Sequence, residues 1–206
     1  MEAVRVARAR QRGLLIAFEG IDASGKNTQS RMLYEWLKSK KILSEFLSFP
    51  DYSTAIGHEI SAFLSGKREY PKEARHILYA ANRYEHKEQI ENWVRGENKI
   101  VVINRYSDSN IAYGVANGLS LQWLKAIESQ MPQADYVFLL KATPELSKAR
   151  KRKDRDIYET DPSFLNRVSE VYDALVEKGR WFSIEADRSV ETIHYEISRF
   201  TEELIR

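Results

Sequence analysis

The sequence predicts an α/β domain: a five-stranded parallel sheet with helices on both faces. Three observations predict it. Five short runs, residues 14–19, 44–49, 99–104, 136–141 and 181–186, carry apolar side chains on both faces and alternate with helix-like stretches. Such runs mark strands covered from both sides. Two of the intervening stretches open on a capping residue followed by proline, Thr143-Pro144 and Asp161-Pro162, the arrangement of a helix N-terminus. The chain of 206 residues suits one domain with a full core, and no apolar run approaches the length of a membrane helix.

Taken in order, Leu14-Leu15-Ile16-Ala17-Phe18 forms the first strand, and a helix follows from Gln29 through Leu37. After the second strand, Pro71 opens a long helix expected to run to about Val94 and to stop at Gly96, a usual C-terminal glycine position. Ser120 and Ser189 are weaker caps of two later helices. In an open parallel sheet, ligands sit beyond the carboxyl ends of the strands. The segments after Phe18, Phe49, Ile103 and Leu140 are therefore the candidate site.

The first of these segments is Gly20-Ile21-Asp22-Ala23-Ser24-Gly25-Lys26-Asn27-Thr28. Its glycine and lysine spacing is that of a P-loop, which wraps the phosphates of ATP or GTP. Glycine lets several backbone N–H groups point into one concavity, and Lys26 adds a mobile cationic donor for the β- and γ-phosphates. The following helix turns its N-terminal dipole toward the same anion. At the position after the lysine, where Ser or Thr normally meets Mg²⁺, this chain has Asn27.

Two further segments carry groups that a bare ATPase would not need. Phe49-Pro50-Asp51-Tyr52 through Gly57 follows the second strand, and Asn104-Arg105-Tyr106 through Tyr113 follows the third. Tyr79 and Arg83 are four apart on one helix face, and Asn110 and Tyr113 are three apart on another. Two arginines, several aromatics and an amide converging on one cleft suit a phosphorylated base: guanidinium for phosphate, ring for stacking, amide for the base edge.

These motifs, in this order over residues 14–206, resemble the thymidylate kinases, P-loop nucleoside-monophosphate kinases that make dTDP from dTMP and ATP. The resemblance implies the P-loop kinase fold, a Mg²⁺-dependent reaction with ATP as donor, direct phosphoryl transfer without a covalent intermediate, and a homodimer. It implies that Gly20, Ile21, Asp22, Ala23, Ser24, Gly25, Lys26, Asn27 and Thr28 hold the ATP phosphates, with Arg150 against the adenine. Tyr79 would stack on thymine beside Phe49, with Arg83 on a thymine carbonyl and Asn110 on its ring nitrogen. Arg105, helped by Tyr52, would hold the acceptor phosphate; Asp22 and Tyr113 would lie near the sugar. Glu159 would lie near the metal or the sugar, so that Asp22, Asn27 and Glu159 are the candidate metal contacts, partly through water.

Some thymidylate kinases carry a catalytic arginine inside the P-loop. Ala23 stands there in this chain. The resemblance is therefore to the subgroup in which a basic lid closes over the phosphates, and Arg152 and Arg155, in the run at residues 150–155, are the candidates. Charge stabilisation on the transferring phosphoryl group is what such a cation supplies. One more departure touches the metal: Asn104 replaces the aspartate usual before Arg105-Tyr106. An amide offers a carbonyl oxygen to a hard cation, but no charge.

Composition narrows the alternatives. A net charge of +2 is too small to argue for a nucleic-acid polymer. Zero cysteines exclude disulfides, thiolate metal sites and thiol nucleophiles; a cytoplasmic protein without membrane contact is expected. His58, His76, His86 and His194 show no zinc-ligand spacing and read as surface or packing residues. Residues 1–12, with four arginines, read as a flexible basic tail, and 13–206 as one kinase domain with a lid at about 150–160. Two other readings stay open on the residues alone. One is a related kinase with dUMP or UMP as acceptor; the other is a nucleotide-binding homologue with weak turnover because of Asn27 and Asn104.

Overall fold

In the computed structural model, which describes residues 12–96, 99–150 and 161–205, the five runs pair into one all-parallel sheet. The strands are β1 (Leu14–Glu19), β2 (Ser44–Ser48), β3 (Ile100–Asn104), β4 (Tyr136–Lys141) and β5 (Trp181–Glu185). Their lateral order is β2-β3-β1-β4-β5. The central strand β1 pairs with β3 on one side and β4 on the other, so that Phe18 lies opposite both Asn104 and Phe138.

Between the strands run α1 (Lys26–Ser39), α2 (Ala55–Leu64), α3 (Lys72–Tyr84), α4 (Lys87–Arg95), α5 (Ser107–Ala116), α6 (Leu121–Glu128), α7 (Pro144–Arg150), α8 (Pro162–Leu175) and α9 (Val190–Ile205). Strand alternation explains how helices come to cover both faces. Leu15, Ala17, Val101, Ile103, Val137 and Leu139 pack with Ile90 of α4, Ala112 of α5 and Val168 of α8. Their neighbours Ile16, Phe18, Val102, Phe138 and Leu140 face the other way, onto Leu33 and Leu37 of α1 and Ile193 and Ile197 of α9.

All four expected caps form. Asp161 accepts from the Ser163 and Phe164 amides at 2.9 and 3.2 Å. Thr143 accepts from Leu146 at 3.2 Å, Ser120 from Trp123 at 3.4 Å and Ser189 from Thr192 at 3.1 Å. Each satisfies an amide that the helix leaves without a partner.

The single helix expected over 71–94 is two. A turn at Glu85-His86 separates α3 from α4, and its cause lies outside the segment. His86 Nε2 reaches Asp51 at 3.0 Å, and the imidazole stands edge-on to Phe49 at 5.5 Å. Gly96 closes α4 in extended rather than left-handed backbone, at φ −66° and ψ 134°. At strand ends, Phe49, Lys99 and Ala186 fall just outside the ladder runs, although Phe49 N still donates to Asn104 O at 2.9 Å.

Candidate active site

The loop leaving β1 is shaped by one close approach. Gly20 has φ +137°, and a Cβ there would stand 2.4 Å from the Leu140 carbonyl oxygen; no other residue fits between β1 and β4. The loop then lines a cavity of about 510 Å³ from Asp22 to Gln29. Lys26 curls over it, donating to the Ile21 carbonyl and to Ser24 Oγ at 3.3 Å. Helix α7 braces the loop from outside. Ser147 Oγ donates to Asp22 O at 2.7 Å, while Arg150 donates to Ser24 O at 3.3 Å and to Ala186 O. Arg150 thus lines the cavity, beside Val190 and Ile193 of α9.

A second, narrower cavity of about 100 Å³ opens beyond β2 and β3. Phe49, Tyr79 and Tyr113 give it aromatic walls, and Tyr52, Arg83 and Asn110 also line it. Its rim, the loop at residues 50–54, is tightly built. Phe49–Pro50 is a cis peptide. A Cβ on Gly57 would fall 1.8 Å from Asp51 O, so α2 sits directly against the loop. Asn82 of α3 pins the loop from behind: Oδ1 accepts from Asp51 N at 2.8 Å, and Nδ2 donates to Asp51 O at 3.1 Å and Thr54 Oγ1 at 3.0 Å.

Asp22 and Arg105 line both cavities. Arg105 Nη2 donates to Asp22 Oδ1, Tyr113 Oη donates to Asp22 Oδ2 at 2.7 Å, and the guanidinium stands 5.4 Å over the Tyr113 ring. Burial is the largest single influence on Arg105 and opposes its charge, but Asp22, with Tyr113 and Tyr172 beside it, together outweigh burial and hold the guanidinium pKa above its ordinary value. The Tyr113 hydroxyl is pushed up, by burial first and then by Asp22. Arg105 also adopts φ +60°, and Ala23 φ +55°. Non-glycine residues held in the left-handed region are costly and concentrate at sites that need a fixed geometry.

Behind this pair lies a buried hub that sequence reading missed. Glu19 accepts from the Tyr106 amide at 2.8 Å, from Ser109 Oγ, and from Tyr172 Oη at 2.9 Å. Burial raises its pKa, and these three donors work against the rise. The carboxylate ties the end of β1 to α5 and α8. A second hub underlies the narrower cavity. Arg83 and Asn110 both bond to Glu128, and Asn110 bonds also to His76. His76 is therefore a buried member of a polar network rather than a surface residue. The available signal was periodicity: Leu124 and Glu128 are four apart and both buried on α6, which puts a carboxylate on the apolar face.

Asn104 ends β3 with Nδ2 donating to Ser48 Oγ at 2.9 Å. Its Oδ1 is buried without a hydrogen-bond partner among the described residues, beside the larger cavity. Asn27 lines the same cavity but its Oδ1 accepts from Arg31 at 3.1 Å. Arg152, Arg155 and Glu159 lie outside the described residues.

Comparison with known proteins gives this geometry a lineage. The family model described as thymidylate kinase matches residues 18–197. The chain belongs to the thymidylate kinase family. It is 33% identical over 189 residues to the thymidylate kinase of Plasmodium falciparum, covering 91% of this chain and 89% of that one. Identity to the human thymidylate kinase is 33% over 203 residues, 96% of this chain and 94% of the other. The solved thymidylate kinase structure from Candida albicans matches with a TM-score of 0.75 at 27% identity, over 93% of each chain. The P-loop kinase fold and a phosphotransferase activity follow from membership. No helix among the described residues is long and apolar enough to cross a membrane.

Proposed function

We propose that this enzyme transfers the γ-phosphoryl group of ATP to the phosphate of dTMP in one in-line step, giving dTDP and ADP. One observation carries the reading: two cavities, one built on the P-loop and one walled by aromatics, meet at the shared pair Asp22 and Arg105. Direct transfer between two bound nucleotides needs donor and acceptor to abut at one point, and its catalysis is mostly positioning and charge stabilisation. Lys26 leaves its resting contacts on the loop to hold the donor phosphates. Arg105 grips the acceptor phosphate, Tyr79 and Phe49 sandwich the base, and Tyr113 crowds the 2′ position of the sugar, which favours dTMP over UMP.

The residues present suit a Mg²⁺ ion that arrives on the nucleotide. No cluster of three or more His, Asp or Glu that could hold a metal exists among the described residues. The unpartnered Asn104 Oδ1 beside the larger cavity is a hard oxygen ligand in want of a partner. Asn104, with Asp22 and Asn27, would meet the ion directly or through water. When bound, Mg²⁺ supplies charge neutralisation across the β- and γ-phosphate oxygens.

The same reading assigns Arg152, Arg155 and Glu159 to a lid at about residues 150–160, and takes the working form to be a cytoplasmic homodimer. ADP release with dTMP, with and without Mg²⁺, tests the core of it. The parent is expected to need both, and Lys26→Ala to lose at least 100-fold in rate while keeping its melting temperature. ADP release that ignores dTMP, or a Lys26→Ala variant within a few-fold of the parent, would overturn the proposal. A parent that binds both nucleotides without turnover would favour the binding-protein alternative.

A further inference from the structure

The polar edge of the narrower cavity has its hydrogen-bonding sense fixed from behind. Asn110 Nδ2 sits 3.0 Å from the His76 carbonyl oxygen and 2.6 Å from Glu128 Oε1. A carbonyl and a carboxylate only accept, so this amide atom has to be the nitrogen. The other amide atom, Oδ1, lies 2.7 Å from His76 Nδ1, which therefore carries the ring proton. His76 Nε2 is left to accept from Asn117 Nδ2 at 3.1 Å, and the tautomer is consistent around the ring. Burial pushes the His76 pKa down to about 4, so the ring stays neutral near pH 7. Glu128 is also held by Arg83, through Nε at 3.1 Å and through Nη2.

Each atom of this network has one permitted role, which leaves little choice in what it shows the cavity. Both N–H groups of Asn110 are spent, and its remaining capacity is the second lone pair of Oδ1. Toward a ligand it is an acceptor. Arg83, which has no lone pair to give, is a donor. Both line the cavity, whereas Glu128 and His76 do not.

We propose that Glu128 and His76 are specificity-determining positioning residues: they lock Asn110 as an acceptor beside Arg83 as a donor, so that the cavity selects bases presenting a ring N–H next to a carbonyl. The inference rests on this cavity being the acceptor-nucleotide site. Thymine and uracil offer that edge, with N3–H toward Asn110 and O4 toward Arg83. Cytosine offers the reverse, an amino group against the guanidinium and a bare N3 against Oδ1. A site built to bond a given polar group rejects the analogue lacking it far more strongly than an apolar pocket rejects a methyl. Accommodating cytosine would require the Asn110 amide to turn over. That rotation sets its oxygen against the Glu128 carboxylate and the His76 carbonyl, and its NH₂ against the His76 N–H.

Calorimetric binding of dTMP and dCMP to the full chain tests this, with Glu128→Gln and His76→Phe alongside the parent. The parent is expected to bind dTMP at least 100-fold more tightly than dCMP. A glutamine side chain can donate as well as accept, so E128Q should lower that ratio at least 10-fold, and H76F at least 3-fold, with ATP binding unchanged within 2-fold. A merely structural role would weaken both pyrimidine nucleotides together and leave the ratio where it was. An unchanged ratio in E128Q, or a parent that binds the two equally, overturns the proposal. H76F leaves no buried charge unpaired and carries the test alone if E128Q fails to fold: an unchanged ratio in it then overturns the proposal. A parent that binds dTMP selectively but never phosphorylates it refutes the kinase reading and leaves this inference standing; one that binds neither overturns both.

Discussion

Asp108, in the first turn of α5, has carboxylates around it and one guanidinium. Desolvation is the largest influence on it; Glu19, Glu177 and Glu128 add to the rise, Arg180 opposes it, and the pKa is pushed from 3.8 up to about 7. Between those values the folded protein holds a proton that the unfolded chain has lost. The associated stability is therefore complete below about pH 4 and disappears as pH rises through about 7. Asp108→Asn imitates the protonated form at every pH. It should raise the melting temperature by roughly 2–4 °C at pH 8, corresponding to on the order of 1 kcal/mol, and change little at pH 5. Thermal unfolding at both pH values checks this, and an equal shift at the two would refute the assignment. Neither environment shows in sequence: each is an ordinary acid in a motif until packing leaves Glu19 fully buried and Asp108 half-buried.

At the scale of elements, the break between α3 and α4 and the loop at 50–54 form one assembly, joined by Asn82 above and His86 below. Helix starts were readable because a cap and its amides lie within three residues of each other. The break was not, because the groups that hold it, Asp51 and Phe49, come from a loop more than thirty residues earlier. Asn82→Ala removes the bonds to Asp51 and Thr54 together. Buried amides and carbonyls left without partners cost about 1–3 kcal/mol each, and the loop they hold is the rim of the narrower cavity. The expected kinetic signature is one-sided: KM for the acceptor rises about 10-fold while KM for ATP stays within 2-fold. Steady-state kinetics with each substrate varied in turn checks it, and matched rises in both KM values would mean that the loop serves no particular cavity.

Across the whole molecule, strand positions, their parallel pairing and the P-loop were legible because apolar runs, caps and glycine spacings are local signals. Asp22 through Thr28, Phe49, Tyr52 and Arg105 were legible for a related reason: they follow strand ends, which the parallel topology brings to one edge. Tyr79 and Arg83 showed only as a pair on one helix face, and Val190 and Ile193 of α9 gave no such signal. What escaped was the layer behind them, Glu19, Glu128, His76 and Asn82, whose partners are fixed only by the packing of helices on the sheet. The Asp22–Arg105 pair at the junction of the cavities has a thermodynamic consequence. A phosphate that draws Arg105 toward itself loosens its hold on Asp22, and so changes the field in the neighbouring cavity. Linkage then requires that the factor by which dTMP alters affinity for a non-hydrolysable ATP analogue equal the factor by which the analogue alters affinity for dTMP. Reciprocal calorimetric titrations should return one number from both directions, and Arg105→Ala should bring it closer to unity, because it removes one of the two side chains, with Asp22, that face both cavities.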